Sequence, residues 1–242
     1  MRRKGEAMIH LTERLQTAAD LVPPCRVMAD IGTDHGYVPI YLCQTGKITG
    51  AVASDIHDGP AERARVHIGE EGLSRQISVR VGPGLSTLAA GEAEGAVIAG
   101  MGGLMILRIL EEGRPVASRM DWFVLQPQNH GKELRRWLGT HGFTIEKEKL
   151  AREDRRMYQV LLVRHGVMAP LSPIEEETGA FLLRKGDPLI PDFLRGLIRK
   201  REWTIDGVAE DTDNEKNAEK RRCAVKEKEE LEALLWKYTE ET

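Results

Sequence analysis

The sequence has few of the residues that mark specialised protein classes. Its three cysteines, Cys25, Cys43 and Cys223, are widely separated and form no CxxC or other metal-ligand spacing. They indicate reduced thiols in a cytoplasmic protein rather than a disulfide framework. No apolar run approaches the roughly 20 residues needed to span a membrane. The basic start MRRKGE is not followed by an apolar segment, so we expect neither a signal peptide nor a membrane anchor.

The chain also lacks a strong excess of charge of one sign. Charged residues make up 30% of the 242 residues, and the net charge is −3. Residues 172–242 hold 13 Lys/Arg against 18 Asp/Glu, a net charge of −5, which leaves +2 for residues 1–171. A dedicated nucleic-acid binder usually shows a clear basic excess, but local basic patches stay possible. The histidines, including His35, His57 and His130, stand singly, so we predict no metal site.

One glycine-rich stretch, MADIGTDHGYVP at residues 28–39, is the most informative part of the chain. An apolar run from Val27 to Ile31, interrupted by Asp30, leads directly into Gly32-Thr-Asp-His-Gly36 and then into an amphipathic segment. This order predicts a buried strand, a tight turn and a helix, the place where open α/β sheets bind nucleotide-like ligands. The pattern is D-x-G-x-x-x-G rather than the dinucleotide fingerprint GxGxxG. A tight turn without a ligand is the alternative.

Strand and helix signals alternate through the first 141 residues and then change. We predict strands at 26–31, 50–55, 77–81, 95–99 and 122–126, with helices at 11–22, 36–44, 60–71, 85–90, 103–112 and 132–141. Two further strands, 143–150 and 157–164, flank a charged turn with no helix between them. This is the plan of class I S-adenosylmethionine (SAM)-dependent methyltransferases, an α/β fold with a Rossmann-like, seven-stranded, mostly parallel sheet. It predicts a catalytic domain at residues 1–170.

Residues 171–242 are predicted to form a separate helical domain. Helical stretches cover about 173–184, 191–208 and 214–238. Apolar residues recur at steps of three, four and seven, close to the spacing of a coiled-coil seam. The positions are Leu194, Ile198, Ile205 and Val208 in the second stretch and Ala224, Leu231, Leu235 and Tyr238 in the third. With 211–214 as a linker, these two helices are predicted to form a coiled-coil hairpin.

Chemistry-bearing residues follow the predicted parallel strands. Asp55 ends the second strand, where an acid can accept hydrogen bonds from ribose hydroxyls or cap the next helix. Gly82-Pro83-Gly84 follows the third strand, and the glycines of residues 100–103 after the fourth would let a flat ligand approach the backbone. Gln126-Pro-Gln-Asn129 offers amides suited to a base edge. Basic residues cluster at 63/65, 135/136, 152/155/156 and 199–201. These clusters are either ordinary solvent-exposed surface or, if several lie near one cleft, a track that contacts the phosphates of a nucleic acid.

Three motifs together make the chain resemble a known family. MADIGTDHGYVP, IAGMGG at 98–103 and LQPQN at 125–129 are similar to the bacterial tRNA (adenine-22-N1)-methyltransferases. The opening LTERLQTAADLVP and the C-terminal helices fit the same family. The resemblance implies a SAM-dependent enzyme that methylates N1 of an adenine in the D-arm region of tRNA. Two departures stand out: Pro83 replaces an acid that family members often have, and LQPQ replaces the more usual LQPN.

The resemblance also implies roles for particular residues. Asp34 would stabilise the positive charge that develops on the methylated base, and Gln126 and Asn129 would act beside it as catalytic residues. SAM would contact Asp30, Gly32, Thr33, His35, Asp55, Ile56, Gly82, Pro83, Gly84, Gly100 and Met101. The tRNA would contact Gly102, Gly103, Arg63, Arg135, Arg136 and Arg155. Because N1 lies on the Watson–Crick edge, the base must be extruded or met unpaired.

Two alternatives to this function follow from the same sequence. Pro83 could mark a cofactor-free RNA-binding or scaffold protein, which would not bind SAM. A small-molecule methyltransferase would turn over without tRNA. We expect a cytoplasmic monomer that binds tRNA and neither a membrane nor a metal.

Overall fold

The computed structural model describes residues 8–207 and 215–240, and its central feature is one seven-stranded sheet. The strand order is β3-β2-β1-β4-β5-β7-β6. Neighbours from β3 through β5 are parallel, whereas β7 is antiparallel to both β5 and β6. This confirms the predicted class I methyltransferase sheet. The strands are β1 (Val27–Ile31), β2 (Gly50–Asp55), β3 (Ile77–Val81), β4 (Gly95–Met101), β5 (Trp122–Pro127), β6 (Phe143–Glu153) and β7 (Arg156–His165).

Helices connect the strands and cover both faces of the sheet. In the first part of the chain they are α1 (Glu13–Leu21), α2 (Tyr37–Gln44), α3 (Asp58–Glu70), α4 (Gly103–Glu112), α5 (Arg114–Ala117) and α6 (Gly131–Thr140). Alternate residues of a strand point to opposite faces, and the core accordingly forms two clusters. Phe123 and Leu125 of β5 belong to one cluster, and Trp122 and Val124 to the other. Burial on both faces explains why the parallel strands are almost continuously apolar.

The order of the central strands places a crevice at the carboxyl ends of β1 and β4. From β1 the chain proceeds through β2 to β3 on one side, and β4 pairs with β1 on the other. Ile31 is in register with Ser54 of β2 and with Ile98 of β4, so the turns after these strands meet at one edge. Such a switch in strand order is where open α/β sheets bind ligands.

Several element boundaries differ from the predictions. The helix predicted at 85–90 is a single 3-10 turn, Gly84–Thr87. The strands β6 and β7 extend to Glu153 and Arg156, so the charged segment predicted as a turn is mostly paired, and Asp154 with φ +54° makes the bend. The helix predicted at 173–184 is two short helices, α7 (Pro173–Thr178) and α8 (Ala180–Lys185). Gly179 separates them, because its φ of +89° lies outside the helical region.

The chain divides into two compact units, Met1–Pro170 and Leu171–Thr242. The second contains α7, α8, α9 (Ile190–Gly207) and α10 (Glu215–Glu240). The helices α9 and α10 pack against each other through buried Leu194, Ile198, Ala224 and Leu231, with Ile205 and Leu235 half-buried. Val208 and the predicted linker at 211–214 lie outside the described residues. None of the described helices combines the length and apolarity that crossing a membrane requires.

Candidate active site

A cavity of about 540 Å³ opens at the carboxyl edge of the sheet, beside the turn after β1. Turns after three strands form one wall, and the helices α4 and α5 form the other. The predicted cofactor residues among its lining are Gly32, Asp55, Ile56, Gly82, Pro83, Gly84 and Met101. Asp30, Thr33, His35 and Gly100 do not line it. Helices α4 and α5, which no sequence motif indicated as part of the site, add Met105, Arg108, Ile109, Glu112, Pro115 and Val116.

The turn after β1 is held by backbone hydrogen bonds and by one buried carboxyl group. The N–H groups of Gly32 and Thr33 both donate to the Ser54 carbonyl, at 2.8 and 3.0 Å. The Thr33 hydroxyl donates to Asp30 Oδ2 at 2.6 Å. Burial raises the pKa of Asp30 to about 6, against the lowering effect of the Thr33 hydrogen bond. Asp30 therefore supports the turn from inside the protein and does not line the cavity, and its contact with a cofactor stays a prediction.

Gly32 presents bare backbone to the cavity, as predicted. Its φ is +76°, and a Cβ at this position would lie 2.1 Å from the methyl carbon of Met101. The Met101 side chain thus lies directly over Gly32. The turn after β1 and the end of β4 are therefore in contact at the centre of the cavity wall.

The other two turns supply one carboxylate and a stretch of exposed backbone. Asp55 Oδ1 accepts the His57 N–H at 2.9 Å, next to the start of α3, while Asp55 also lines the cavity. The helix-capping and ligand-binding interpretations of this residue are therefore compatible. Pro83 lines the cavity without offering a carboxylate. The acid on the facing wall is Glu112, which pairs with Arg108 at 2.7 Å.

Gln126 lies inside the protein rather than at the cavity surface. Its side chain is completely buried. Its Oε1 accepts the Gly100 N–H at 3.0 Å and Arg14 Nη1 at 2.8 Å, while its Nε2 donates to the Pro127 carbonyl at 3.0 Å. The prediction that Gln126 acts directly on the substrate is therefore wrong. The bulge between Ala99 and Met101 turns the Gly100 N–H inward, and Gln126 is the group that satisfies it.

Asn129 is exposed and lies against the glycines after β4, of which Gly102 is half-buried and Gly103, a predicted tRNA contact, is buried. The Gly103 N–H donates to the Asn129 carbonyl at 3.0 Å, and the Gln128 N–H donates to the Met101 carbonyl at 2.8 Å. A Cβ on Gly102 would lie 2.8 Å from Asn129 Oδ1. The loops after β4 and β5 are thus joined, and the exposed amides of Gln128 and Asn129 are adjacent to the glycine backbone.

Asp34 is exposed beside the cavity and already has a basic partner. Its side chain is 55% exposed, its Oδ1 lies 2.5 Å from Arg63 Nη2, and its Oδ2 lies 3.5 Å from His35 Nε2. Its φ of +47° is left-handed. The rings of His35, Tyr37 and His67 stack with centroids 5.0 to 5.6 Å apart. The structure brings together the predicted catalytic Asp34 and the predicted tRNA contact Arg63.

Of the other three arginines predicted to contact tRNA, one is buried and two are exposed. Arg135 is completely buried, and its Nε and Nη2 lie 2.9 and 2.8 Å from Glu148 Oε1. It cannot reach a phosphate, so the prediction for Arg135 is wrong; α6 presents its apolar face to the sheet, and Arg135 lies on that face beside Leu134. Arg136 and Arg155 are exposed. Among the described residues, no group of three or more His, Cys, Asp or Glu side chains could hold a metal ion.

Arg14 contacts Gln126 behind the cavity, although no motif in the sequence points to it. It lies on α1, donates to Gln126, and is only 17% exposed. Leu11, Leu15 and Ala18 recur at helical spacing and form one apolar face, and Arg14 lies three residues after Leu11 on that face. The sequence did contain a signal for Arg14: it is a charged residue at a position that helical periodicity assigns to the core.

Comparisons with known proteins agree with this geometry. Residues 11–161 match the family model described as "Methyltransferase domain". The chain is 40% identical over 158 residues to the tRNA (adenine(22)-N(1))-methyltransferase of Bacillus subtilis, a stretch that covers 65% of this chain and 66% of that enzyme. A putative tRNA methyltransferase of Mycoplasma pneumoniae is 36% identical over 155 residues, covering 63% of this chain and 71% of that protein.

Solved structures of similar proteins cover nearly the whole chain. The m1A22 tRNA methyltransferase TrmK of B. subtilis has a TM-score of 0.84 at 31% identity, covering 93% of this chain and 99% of that one. A putative tRNA (m1A22) methyltransferase of Streptococcus pneumoniae, in complex with S-adenosyl-L-methionine, has a TM-score of 0.83 at 31% identity and covers 93% and 100%. Taken with the cavity and its loops, these similarities show that the chain belongs to the bacterial tRNA (adenine-22-N1)-methyltransferase family.

Proposed function

We propose that the chain transfers the methyl group of SAM to N1 of adenine 22 in tRNA. The observation that carries this proposal is the cavity at the carboxyl ends of β1, β2 and β3, with the joined loops after β4 and β5 beside it. The cavity has room for a nucleoside with an amino-acid chain, and ligand pockets of several hundred Å³ are usual for such molecules. Membership of the family supports the choice of substrate.

The lining residues fit SAM. Asp55 ends β2 at the place where an acid accepts hydrogen bonds from ribose hydroxyls. Gly32 offers backbone with no side chain, and Gly82 to Gly84 offer a second stretch of exposed backbone. The wall formed by Met105, Ile109 and Val116 is apolar and suits a flat base. Pro83 does not close the cavity, so its presence gives no support to a cofactor-free protein.

Methyl transfer to adenine N1 does not depend on a strong acid or base group of the protein. When bound, SAM supplies an electrophilic methyl group on a sulfonium. Adenine N1 has a free lone pair once the base is unpaired, so no residue of the chain needs to remove a proton beforehand. The protein contributes orientation and the exclusion of water. Asn129, beside Gly102, can hydrogen-bond the edge of the base, and Asp34 can stabilise positive charge as it develops on the ring and its amino group.

The proposed substrate also supports a location for the protein. A bacterial enzyme that modifies tRNA works where tRNA is found, which is the cytoplasm. Exposed Arg63, Arg136 and Arg155 are candidates for phosphate contacts, since phosphates position an RNA while base contacts give specificity. We also propose that the protein acts as a monomer and that unit 171–242 assists in holding tRNA.

A direct assay tests this function. Unmodified tRNA is incubated with the protein and SAM, and the methylated nucleotide is mapped. We expect one methyl group on N1 of adenine 22 and no product from a tRNA with guanine at position 22. Calorimetry with SAM, without tRNA, is the companion measurement. No SAM binding would favour the scaffold alternative, and turnover of small adenine compounds without tRNA would favour the small-molecule alternative.

A further inference from the structure

We propose that Arg14 of α1 is a positioning residue for methyl transfer, because it fixes, through Gln126, the loops after β4 and β5. This inference rests on the proposed function only for the reaction that these loops serve. The contacts themselves can be tested without tRNA. Arg14 does not line the cavity, so its effect on the reaction has to pass through other residues.

Arg14 is held on several sides. Its Nε donates to Glu153 Oε2 at 3.0 Å, and its Nη1 donates to Gln126 Oε1 at 2.8 Å. Its guanidinium carbon lies 5.5 Å from the centroid of the Tyr158 ring, within cation–π distance. Burial alone would raise the pKa of Glu153, but hydrogen bonds from Thr12 and Arg14 outweigh it and lower that pKa. Glu153 therefore stays ionised near neutral pH and compensates the charge of Arg14.

The guanidinium determines which way the Gln126 amide faces. An arginine side chain has donors and no acceptor, so the amide oxygen must face it. The same oxygen then accepts the Gly100 N–H, and the amide nitrogen faces the Pro127 carbonyl. With the amide reversed, its N–H₂ group would face two donors and its oxygen would face an acceptor. The buried Gln126 side chain thereby connects both loops. Arg14 selects the amide orientation in which both the Gly100 N–H and the Pro127 carbonyl have a hydrogen-bond partner.

The consequence reaches the proposed reaction centre through Gly100. This residue has φ +79° and lies at the bulge of β4, a kind of irregularity that re-aims the residues after it. With its N–H held by Gln126, Met101 lies over Gly32, and Gly102 lies against Asn129. Loss of the Arg14 hydrogen bond should loosen this segment while leaving the turns at Asp55 and Gly82–Gly84 unchanged. Methyl transfer should then slow without a comparable loss of SAM affinity.

Single-turnover methylation with Arg14→Gln and Arg14→Lys measures this effect. We expect Arg14→Gln to lower the rate at least tenfold, with SAM Kd within twofold of the wild type. Arg14→Lys should recover part of the rate, because an ammonium group can still donate to Gln126. Arg164→Gln is the matched control: Arg164 pairs with Glu146 across the same hairpin and donates to the Asp121 carbonyl. It lies at the opposite end of β7, so its rate should not change.

A double-mutant cycle asks whether Arg14 acts through Gln126. Gln126→Met removes the amide at nearly constant length. If Arg14 acts through that amide, the Arg14→Gln/Gln126→Met variant should be within twofold of Gln126→Met alone. Rate losses that multiply would overturn the proposal. So would a wild-type rate in Arg14→Gln, or a parallel fall in rate, SAM affinity and Tm that Arg14→Lys does not relieve.

Hydrogen exchange of the Gly100 amide, followed by NMR in the SAM-bound protein, gives a readout independent of tRNA. Arg14→Gln should speed this exchange at least tenfold, and Arg164→Gln should not. If exchange responds in this way but the wild type methylates no tRNA, the proposed function fails, and only the part of the inference in which Arg14 fixes the Gly100 loop stands. If the wild type methylates adenine 22 and Gly100 exchange is unaffected by Arg14→Gln, the inference fails alone.

Discussion

At the scale of single residues, Asp30 illustrates how burial alters a carboxyl group that supports a ligand turn. Burial raises its pKa to about 6, with the charge of Asp55 adding to the rise and the Thr33 hydrogen bond opposing it. A raised folded-state pKa means that the folded protein binds the proton more tightly than the unfolded chain does. The stabilisation this provides is complete below pH 3.8, the ordinary value, and is lost as the pH rises through about 6.

Asp30→Asn should remove this pH dependence, because asparagine keeps an acceptor for the Thr33 hydroxyl and carries no charge. The Tm of the variant relative to wild type should be higher at pH 7.5 than at pH 5. Between these two pH values the linked free energy of unfolding is on the order of 1–1.5 kcal/mol. Thermal denaturation at both pH values measures it, with Asp154→Asn, an exposed carboxyl, as control. An equal Tm difference at both pH values would contradict the shifted pKa.

Asp34 is the residue on which the proposed chemistry depends most. Alanine at φ +47° would add backbone strain, whereas asparagine tolerates the left-handed region. Asp34→Asn should therefore fold, bind SAM within twofold of wild type and lose about 100-fold in kcat, as for removal of one charge-stabilising group. Asp154→Asn has nearly the same backbone conformation, φ +54°, and should keep full activity. Steady-state kinetics with unmodified tRNA decide, and near-wild-type turnover of Asp34→Asn would refute the role.

Residue types at strand ends were predictable from the sequence, but their accessibility was not. Asp55 and Gly32 line the cavity as expected. Gln126, at the end of β5, carries an equally suitable side chain, yet it is fully buried, as is Arg135 on α6. Whether a polar side chain at a strand end faces a ligand or a backbone group depends on the local bulge and on the facing helix. Neither can be derived from residue type.

At the scale of elements, the bulge of β4 and the loop after β5 pack against each other. Gly102 has an ordinary φ of −64°, so alanine there adds no backbone strain. Its Cβ would instead meet Asn129 Oδ1 at 2.8 Å and displace the amide. We expect Gly102→Ala to lower kcat at least tenfold, to leave SAM Kd within threefold and to lower Tm by no more than a few degrees.

Gly69→Ala is the control for this change, since a Cβ on Gly69 meets no atom closer than 3.8 Å. The same kinetic and calorimetric measurements apply to both variants. Unchanged kcat in Gly102→Ala would show that the position of Asn129 does not matter for transfer.

Element types followed from periodicity, and errors were confined to places where the backbone changes direction. A run of helix formers from 173 to 184 predicted one helix, but Gly179 in a positive-φ conformation divides it. The charged segment between the predicted strands 143–150 and 157–164 is predicted as a turn. Long cross-strand pairing to Glu153 and Arg156 replaces most of that turn, as tertiary context often overrides local preference.

At the scale of the whole molecule, the seven strands and their mostly parallel sheet could be predicted because alternating strands and helices permit few arrangements. Contacts between distant segments could not. Arg14 reaches Gln126, 112 residues away, and Glu153, 139 residues away. No periodicity within α1 specifies such partners, which appear only once the sheet has placed the ends of β5 and β6 beside that helix.

The acidic composition of unit 171–242 does not exclude a role in tRNA binding, since local charge decides contact with phosphates. Arg199 and Lys200 are adjacent and exposed on α9, whereas Arg201 is engaged by Glu177 and Glu227. Arg199→Glu/Lys200→Glu should raise KM for tRNA at least fivefold and leave SAM Kd unchanged. Arg199→Gln/Lys200→Gln should have an intermediate effect. Both differences should shrink at higher salt, because phosphate contacts weaken as counterion release becomes less favourable. An unchanged KM in the glutamate variant would place the tRNA contacts outside this part of α9.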